Sequence, residues 1–329
     1  MNLPEPIRLV AFLVGLMAFV GFNAAYLVWA ERKGSGRFQR RLGPTEVGFA
    51  GLLQPIADSI KLLTKQLLVP PTVDGLLFRA APLLVIIPAM VSLAVIPFSE
   101  NLVARDLHLG LLVVFSFGSI HVLAVMLAGW ASRNKYAIIS AARVVSQNVA
   151  YEIPMLLVVI TILMTTNTTS LSEIVQKQAG PFWHWNIFRL DQNPLAPVTF
   201  LVFYICMLAE TNRAPFDMAE AESELVAGAI TEYSGMGFGV FFIGEYANVL
   251  VGCALATLLF LGGWQSPIGV LPGAFWFLLK MYVLIFAVMW VRWTFPRTQF
   301  YTLLNLSWKV LIPISLGTLV LTAITLKLF

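Results

Sequence analysis

Charged residues are scarce in this chain of 329 residues: only 12% of them are Asp, Glu, Lys or Arg, whereas 59% are hydrophobic. A soluble globular domain usually carries about 25% charged residues. The balance therefore excludes an ordinary soluble domain and predicts a polytopic helical membrane protein whose surroundings are the lipid bilayer. No nucleic-acid partner is expected.

Cysteine is nearly absent as well. Cys206 and Cys253 each stand alone in an apolar run, so the sequence has neither a disulfide framework nor the spacing of metal ligands. It also lacks a dinucleotide-binding glycine fingerprint, a phosphate loop and an iron-sulfur cysteine cluster. We therefore expect no metal and no catalytic residue in this chain alone, and any redox role must be shared with partner proteins.

What the chain has in abundance is long apolar runs, each of about 20 residues, the length that crosses a bilayer as a helix. We predict an all-α fold, a single membrane-embedded domain over residues 1–329 with about eight transmembrane helices. The fifth is the shortest and is expected to include Glu210. The predicted spans are 7–29, 76–98, 107–131, 144–166, 195–209, 238–261, 271–293 and 306–326. The sequence has no repeat at a fixed period and no matching pair of broken helices in its two halves. Both observations weigh against an inverted-repeat transporter.

The distribution of Lys and Arg predicts the orientation. Of 21 such residues, fifteen lie in or beside the odd-numbered connections, five on the other side, and Lys280 lies within a span. By the positive-inside rule the odd-numbered loops face the cytoplasm and both termini face outward. The first run lacks a basic start and a small-residue cleavage site, so we interpret it as a retained span.

Residues 51–68, between the first two spans, have the pattern of an amphipathic helix at the membrane surface. The alternative is a helix that packs on a soluble core. The apolar face carries Leu52, Ile56, Ile60, Leu63 and Leu67, and the polar face Gln54, Asp58, Lys61 and Lys65.

A loop between the fifth and sixth spans, residues 210–237, concentrates acidic side chains. It holds six of the seventeen carboxylates. Asp217 and Glu220 have the spacing of a capping box, which predicts a short helix toward Gly228. Glu220 and Glu224 would share one face of that helix, where like charges favour a proton-sharing cluster. A solvated, well-capped loop helix is the alternative.

Ionisable residues inside apolar spans are functional candidates, because a charge in hydrocarbon is costly. Glu152, Glu245, Lys280 and His121 are such residues, although a lone His in an apolar helix is more often a satisfied core residue. Together with the loop acids they predict a hydrated chain of titratable groups. The predicted proton-relay residues are Glu152, Glu210, Asp217, Glu220, Glu222, Glu224, Glu245 and Lys280.

Three stretches have a specific resemblance to a known family. The first runs Glu-Thr-Asn-Arg-Ala-Pro-Phe-Asp from Glu210 and continues to Glu-Tyr-Ser-Gly-Met at Met236. The second, from Ala30 to Lys65, contains Arg41-Leu-Gly-Pro and then Gln-Pro-Ile-Ala-Asp-Ser-Ile-Lys, and the third begins Gly-Trp-Ala-Ser-Arg-Asn-Lys-Tyr at Gly129. In this order and spacing they resemble the H-subunit (mitochondrial subunit 1) family of respiratory complex I, the proton-pumping NADH:quinone oxidoreductase, over nearly the whole chain.

The resemblance implies a membrane core subunit that forms a quinone-access chamber with peripheral subunits and couples quinone reduction to proton translocation. The quinone, ubiquinone or menaquinone, would be the substrate, while FMN, NADH and iron-sulfur clusters would belong to partner subunits. The implied partners also include small membrane subunits and antiporter-like subunits, in a bacterial inner membrane or an organellar one. The residues implied in the chamber or in docking the peripheral arm are Glu31, Arg32, Arg37, Arg41, Asp58, Lys61 and Arg213.

Two other functions are compatible with the residues alone. One is the membrane anchor of an energy-converting hydrogenase or formate hydrogenlyase, which would use the same fold without a quinone. The other is an independent ion channel or transporter. The last cytoplasmic loop also departs from the family pattern, with Gln299 and Tyr301 in place of an Arg and an Asp, so we expect an ion pair to be missing there.

Overall fold

The chain is built almost entirely from helices, as predicted. A computed structural model describes residues 5–218, 222–267, 269 and 271–328, excluding the side chains of 5, 6, 222 and 223. Over these residues it contains no strands, only one isolated bridge between Ser99 and Leu102. The α-helices are α1 (Glu5–Phe38), α2 (Gln54–Thr64), α3 (Gly75–Val95), α4 (Gly110–Ala131), α5 (Lys135–Thr166), α6 (Leu171–Gln176), α7 (Ala196–Glu210), α8 (Glu222–Leu225), α9 (Gly235–Phe260), α10 (Gly273–Thr294), α11 (Phe300–Leu306) and α12 (Ile312–Leu328).

Seven helices of the described chain are long and apolar enough to cross a membrane: α1, α3, α4, α5, α9, α10 and the continuous helix formed by α11, a π-helical turn at Ser307–Leu311, and α12. The remaining predicted span, the fifth, is α7, which includes Glu210 as expected but has only 15 residues. At 1.5 Å per residue it is about 22 Å long, short of the ~30 Å hydrocarbon core. One end of α7 therefore falls short of the bilayer surface.

Three helices extend beyond the predicted apolar spans. Helix α1 continues past residue 29 to Phe38, α5 begins at Lys135 rather than 144, and the last helix begins at Phe300 rather than 306. Apolar content marks the part of a helix that suits lipid, whereas capping groups mark its end. At the start of α5, for example, the Asn134 side chain accepts a hydrogen bond of 2.9 Å from the Tyr136 amide.

Helix α9 lies at the centre of the bundle, in contact with α1, α3, α7 and α10. Elsewhere in the bundle, α5 packs against α4, α7 and α12. The outer face of α1 is different, because Val10, Val14 and Met17 are exposed in the isolated chain. Such an apolar face is stable only when lipid or a partner subunit covers it.

Helix α2 is shorter than the amphipathic helix predicted over residues 51–68. Pro55 lies in its first turn, and Lys65 adopts an extended conformation that ends it. Its apolar face points away from the rest of the chain: Ile56, Ile60 and Leu63 are all exposed. Within the described residues this face therefore does not pack on a protein core.

The acidic loop contains less regular helix than predicted. Helix α8 covers only four residues and is followed by Val226, whose φ of 65° cannot continue a right-handed helix. A 3₁₀ turn at Gly228–Ile230 follows. The predicted short helix toward Gly228 is present in its described part as α8, which ends at Leu225. The capping partner Glu220 lies outside the described residues.

Candidate functional site

An apolar cavity of about 390 Å³ lies between α1, α2 and α9. Its walls are formed by small residues of α1, such as Gly21 and Ala25, and by aromatic residues of α9, Phe238 and Phe242. Tyr246 contributes the one phenol among the described lining residues. We call this space the α1–α9 cavity; its volume is within the range of small-molecule sites, about 300–1,000 Å³.

The polar residues of the α1–α9 cavity at its exposed rim form an ion-pair group. The guanidinium of Arg32 lies 3.0 Å from the Asp58 carboxylate, and the Lys61 ammonium lies 3.8 Å from it. Both cations are more than half exposed, so these pairs contribute little to stability. Their effect is to place positive charge beside an apolar opening. The structure thus brings together three of the residues predicted in the chamber.

A buried cluster of charges adjoins the same cavity through Tyr246. The Tyr246 hydroxyl donates a hydrogen bond of 2.5 Å to Glu31, whose carboxylate also pairs with Arg292. Arg213 lies over the Tyr246 ring, 4.2 Å from its centroid, and its guanidinium is 3.6 Å from the Glu245 carboxylate. We call these five residues the Glu31 cluster. Two carboxylates and two guanidinium groups balance each other, which makes burial of the charges tolerable.

The loop that carries Arg213 is held at depth by α5. After α7 ends, Thr211, Arg213 and Asp217 are all buried. Irregular backbone inside a membrane is tolerated only where protein groups satisfy its hydrogen bonds. The buried Gln147 amide does so, donating to the carbonyls of Ala209 at 2.7 Å and Phe216 at 2.9 Å.

Glu210, the last residue of α7, projects toward α4. Its Oε1 atom lies 3.0 Å from the position that a Cβ on Gly118 would occupy, so the glycine makes room for the carboxylate. Glu152 approaches from α5 and accepts a hydrogen bond of 2.8 Å from the Ser119 hydroxyl. The structure therefore places two predicted relay residues beside the same stretch of α4.

Two small cavities, each of about 30 Å³, lie between these acids and the Glu31 cluster. The Glu210 cavity is lined by Glu210, Thr211 and Asn248, and the Glu245 cavity by Glu245 and Asn212; His121 lines both. A third cavity, of about 20 Å³, lies within the Glu31 cluster. Each has room for about one or two water molecules, and its polar lining could bind them.

The remaining acids of the loop pair separately with neighbouring elements. Asp217 lies 3.2 Å from Arg297, and Glu224 lies 2.6 Å from Arg143 of α5. The predicted cluster of Glu220, Glu222 and Glu224 is not described as a unit, because Glu220 and the Glu222 side chain lie outside the described residues. Asp217 and Glu224 thus form separate ion pairs with surrounding cations.

The Asp217–Arg297 pair bears on the loop between α10 and α11, where the sequence predicts a missing ion pair. That loop is bound to the acidic loop by this pair and by Thr298, whose amide and hydroxyl both donate to the Pro215 carbonyl at 3.0 Å. Gln299 makes no side-chain capping bond at the start of α11, and Tyr301 is exposed. The two loops are thus joined without the two replaced residues.

The far end of the acidic loop is fixed by aromatic contacts. The Tyr233 ring stacks on Phe78 of α3, with centroids 4.1 Å apart, and meets the edge of Phe241 at 4.7 Å. Burial raises the pKa of Tyr233, so its phenol stays neutral. Glu232, next to it, accepts a hydrogen bond of 2.7 Å from Asn134 at the start of α5.

Lys280 lies apart from the carboxylates. Its ammonium donates to the carbonyls of Leu261 at 2.7 Å, Gly263 at 3.0 Å and Gln265 at 2.8 Å, and it lies 3.9 Å from the ring centroid of Trp185. The carbonyls belong to the connection between α9 and α10. The structure therefore places this cation among backbone acceptors of the segment that follows α9.

The predicted docking residues Arg37 and Arg41 are both exposed, Arg37 in the last turn of α1 and Arg41 in the turn that follows the helix. The turn folds back on the helix: the Arg41 amide donates to the Gly36 carbonyl at 2.7 Å, and a Cβ on Gly36 would meet backbone atoms at 2.8 Å. Leu42 and Phe49 on the same segment are 86% and 89% exposed. Cationic and apolar groups thus share one uncovered surface.

Sequence reasoning missed several residues that complete this site. Tyr246 and Arg292 complete the Glu31 cluster, Gln147 supports the α7 loop, and Ser119 binds Glu152. Arg292 has a signal, a cation at the end of an apolar run, but its partner is far away in the sequence. The others have none, since an isolated polar residue in a span does not show what it faces.

Comparisons with known proteins agree with one another. The family model described as NADH dehydrogenase matches residues 11–323. The chain is similar to the H subunit of NADH-quinone oxidoreductase from Desulfotalea psychrophila, with 59% identity over 98% of this chain and 97% of the relative. It is also similar to the protein of the same name from Dehalococcoides mccartyi, with 43% identity over 96% of this chain and 86% of the relative.

Proposed function

The chain belongs to the NADH dehydrogenase family, as a membrane subunit of the multisubunit enzyme NADH-quinone oxidoreductase, and we propose that it supplies the membrane part of the quinone chamber and relays protons from it. The observation that carries this proposal is the position of Tyr246, which lines the α1–α9 cavity and also bonds to Glu31. A change at a bound quinone can reach buried charges through this residue.

The α1–α9 cavity suits the isoprenoid tail of a quinone. Its walls are mostly apolar, so a hydrocarbon chain loses no hydrogen bonds on entering it. The exposed apolar face of α2 borders the cavity and places its rim beside lipid. The headgroup is reduced where partner subunits complete the chamber, because the sequence has no iron-sulfur cysteine cluster and no dinucleotide-binding glycine fingerprint. Arg32 at the rim and Arg37 and Arg41 farther along the chain are exposed, and they dock those partners.

Coupling proceeds through the buried acids. The Glu31 cluster, which includes Arg213 and Glu245, responds to the charge or hydration of the cavity, and Glu210 and Glu152 take the proton onward. Moving one charge through the membrane field requires about 2.3 kcal/mol per 100 mV. The groups that respond must therefore be buried, because a nearby charge interacts more strongly with a group in surroundings of low dielectric constant. Asp217, Glu220, Glu222 and Glu224 supply protons from the cytoplasmic side. Lys280 lies outside this set, as its carbonyl partners fix it elsewhere.

The wider assembly follows from the same assignment. NADH, FMN and iron-sulfur clusters reside in peripheral partners, and further membrane subunits cover the apolar outer faces of the bundle. The substrate is ubiquinone or menaquinone. The protein lies in a bacterial inner membrane with both termini outside. The names of the two relatives favour this assignment over a hydrogenase anchor, and the described structure offers no specific support for an independent channel.

A photoreactive quinone analogue with its label on the tail tests the chamber in the intact complex. Label is expected on peptides from residues 25–41 or 51–63, and excess unmodified quinone should prevent it. The matched control is the apolar groove of about 340 Å³ that Phe12 and Phe98 line, because nonspecific partition into lipid would mark it equally. Labelling confined to partner subunits would remove the chamber from this chain.

A further inference from the structure

His121 occupies a position that the proposed relay leaves unassigned. Of the described residues lining the Glu210 and Glu245 cavities, it is the one that lines both. It belongs to α4 and is 5% exposed. The two cavities otherwise have separate walls, so the imidazole is the shared partition between an acid on α7 and an acid on α9.

Both cavities can hold water that would bridge the ring to the acids. Each has a volume of about 30 Å³, above the ~10–15 Å³ that one water requires. Glu210, Thr211 and Asn248 offer hydrogen-bonding groups on one side, and Asn212 and Glu245 do so on the other. Val125, Val144 and Phe241 make the rest of the Glu245 cavity apolar. The imidazole is therefore the polar side chain that the described walls of the two cavities share.

The ring is oriented by a backbone contact. Its Nδ1 atom lies 3.3 Å from the Val85 carbonyl, and Val85 is itself in the wall of the Glu245 cavity. A carbonyl oxygen accepts hydrogen bonds, so the neutral ring that makes this contact carries its hydrogen on Nδ1 and has an acceptor at Nε2. Imidazole can then take a proton on one nitrogen as it releases one from the other.

We propose that His121 transfers protons between the Glu245 cavity and the Glu210 cavity, a step that rests on the proposed coupling function. One proton arrives on Nε2 from a water, while the proton on Nδ1 leaves its contact with the Val85 carbonyl and passes to a water on the other side of the ring. The ring is neutral before and after the step, in the opposite tautomer, and returns to its first state by rotation. Because the His121 ring accepts and releases the transferred proton directly, His121 is a catalytic residue of the relay.

The test uses the complete enzyme in its membrane. His121→Asn places an amide nitrogen near the position of Nδ1, which preserves the donor to Val85 and removes the second nitrogen. Assembly and electron transfer from NADH to an artificial acceptor should be normal, while quinone reduction and proton pumping fall together by at least about tenfold. In D₂O the residual rate should show a larger isotope effect than the wild type, which a merely structural fault would not produce.

Two further variants serve as a control and as a second test at position 121. Met155→Leu changes a buried, non-titratable residue of the same Glu210 cavity at nearly constant volume and should behave like the wild type. His121→Gln, which mimics Nε2 instead, serves if His121→Asn does not assemble, and the same loss is expected. Unchanged pumping and an unchanged isotope effect in an assembled variant at position 121 would overturn the role of His121.

A third variant separates this proposal from the function on which it rests. If Glu210→Gln abolishes pumping while the assembled His121 variant pumps normally, the relay stands and bypasses His121. If both variants pump normally, the proposed coupling route through these acids is also refuted. If both lose pumping and only the His121 variant shows the raised isotope effect, transfer across the partition limits its rate, as proposed.

Discussion

Tyr246 and Glu31 are joined by a hydrogen bond of 2.5 Å, although they lie 215 positions apart in the sequence. The phenol belongs to the wall of the α1–α9 cavity, and the carboxylate belongs to a buried pair with Arg292. A hydroxyl donating to a charged acceptor is a strong, short-range contact. Anything in the cavity that displaces or charges the phenol therefore acts directly on Glu31.

Replacing Tyr246 with Phe tests this contact. The variant keeps the ring beneath Arg213 but removes the donor to Glu31, a bond to a charged group that contributes about 1.5–3 kcal/mol. We expect slower quinone reduction with normal electron transfer to an artificial acceptor. Tyr282→Phe is the matched control, because Tyr282 also bonds to α1, at Asn23, but lies away from the Glu31 cluster. Equal quinone reductase rates in the two variants would contradict the expectation.

Arg292 balances the Glu31 charge, so its removal should destabilise the subunit. Breaking a buried ion pair from one side costs about 3–5 kcal/mol, because the remaining charge is left uncompensated. We expect Arg292→Met to reduce the amount of assembled complex on native gels, and Glu31→Gln added to it to restore part of that loss. Arg297→Met should have a smaller effect, because the Arg297 side chain is 39% exposed. A double variant as defective as the sum of the singles would rule out this coupling.

Glu152→Gln separates the titratable group from its hydrogen bond. The Gln carbonyl can still accept from Ser119, so we expect an assembled complex. Proton pumping and most quinone reduction should be lost, while the reaction with an upstream artificial acceptor survives. The control is Glu173→Gln, on α6 and distant from the cavities, which should pump normally. Normal pumping by Glu152→Gln would show that the protons pass through other residues.

Lys280 is expected to stabilise the connection between α9 and α10. Lys280→Met would leave three carbonyls without their donor and remove the cation from the Trp185 ring. Each buried unsatisfied acceptor costs about 1–3 kcal/mol, so the level of assembled complex should fall sharply. Lys280→Arg retains the charge and several donors and should assemble better. Normal assembly of Lys280→Met with a specific loss of pumping would instead return this residue to the relay.

The orientation can be measured with reporter fusions. Fifteen of the 21 Lys and Arg residues lie on one side of the predicted topology, so fusions at Lys65 and Ser223 should report cytoplasm. A fusion at Gly180, between α6 and α7, should report the exterior. A cytoplasmic signal at Gly180 would mean that a span has been assigned wrongly, and α7 would be the first helix to reconsider because of its length.

Short-range pattern was sufficient to predict the long apolar helices of this protein. In lipid, the backbone N–H and C=O groups of a single spanning segment must form hydrogen bonds within that segment. An apolar run of about 20 residues therefore forms a helix. Even the short fifth span and its terminal Glu210 could be predicted this way. Helix ends could be predicted less well from the sequence. Helix α5 begins at Lys135, ahead of the apolar run, because a cap at Asn134 determines that end.

Partners across the bundle were decided by tertiary structure alone. Glu31 and Tyr246 meet because α1 packs on α9, and the position of His121 between two cavities depends on how residues of α3, α7 and α9 meet α4 around those cavities. Composition and spacing show that a buried polar residue needs a partner, which is why Glu152, Glu245 and Lys280 stand out in the sequence. They do not show which partner, since that depends on the rotation and depth of each helix: Lys280 faces carbonyls, whereas Glu245 faces Arg213.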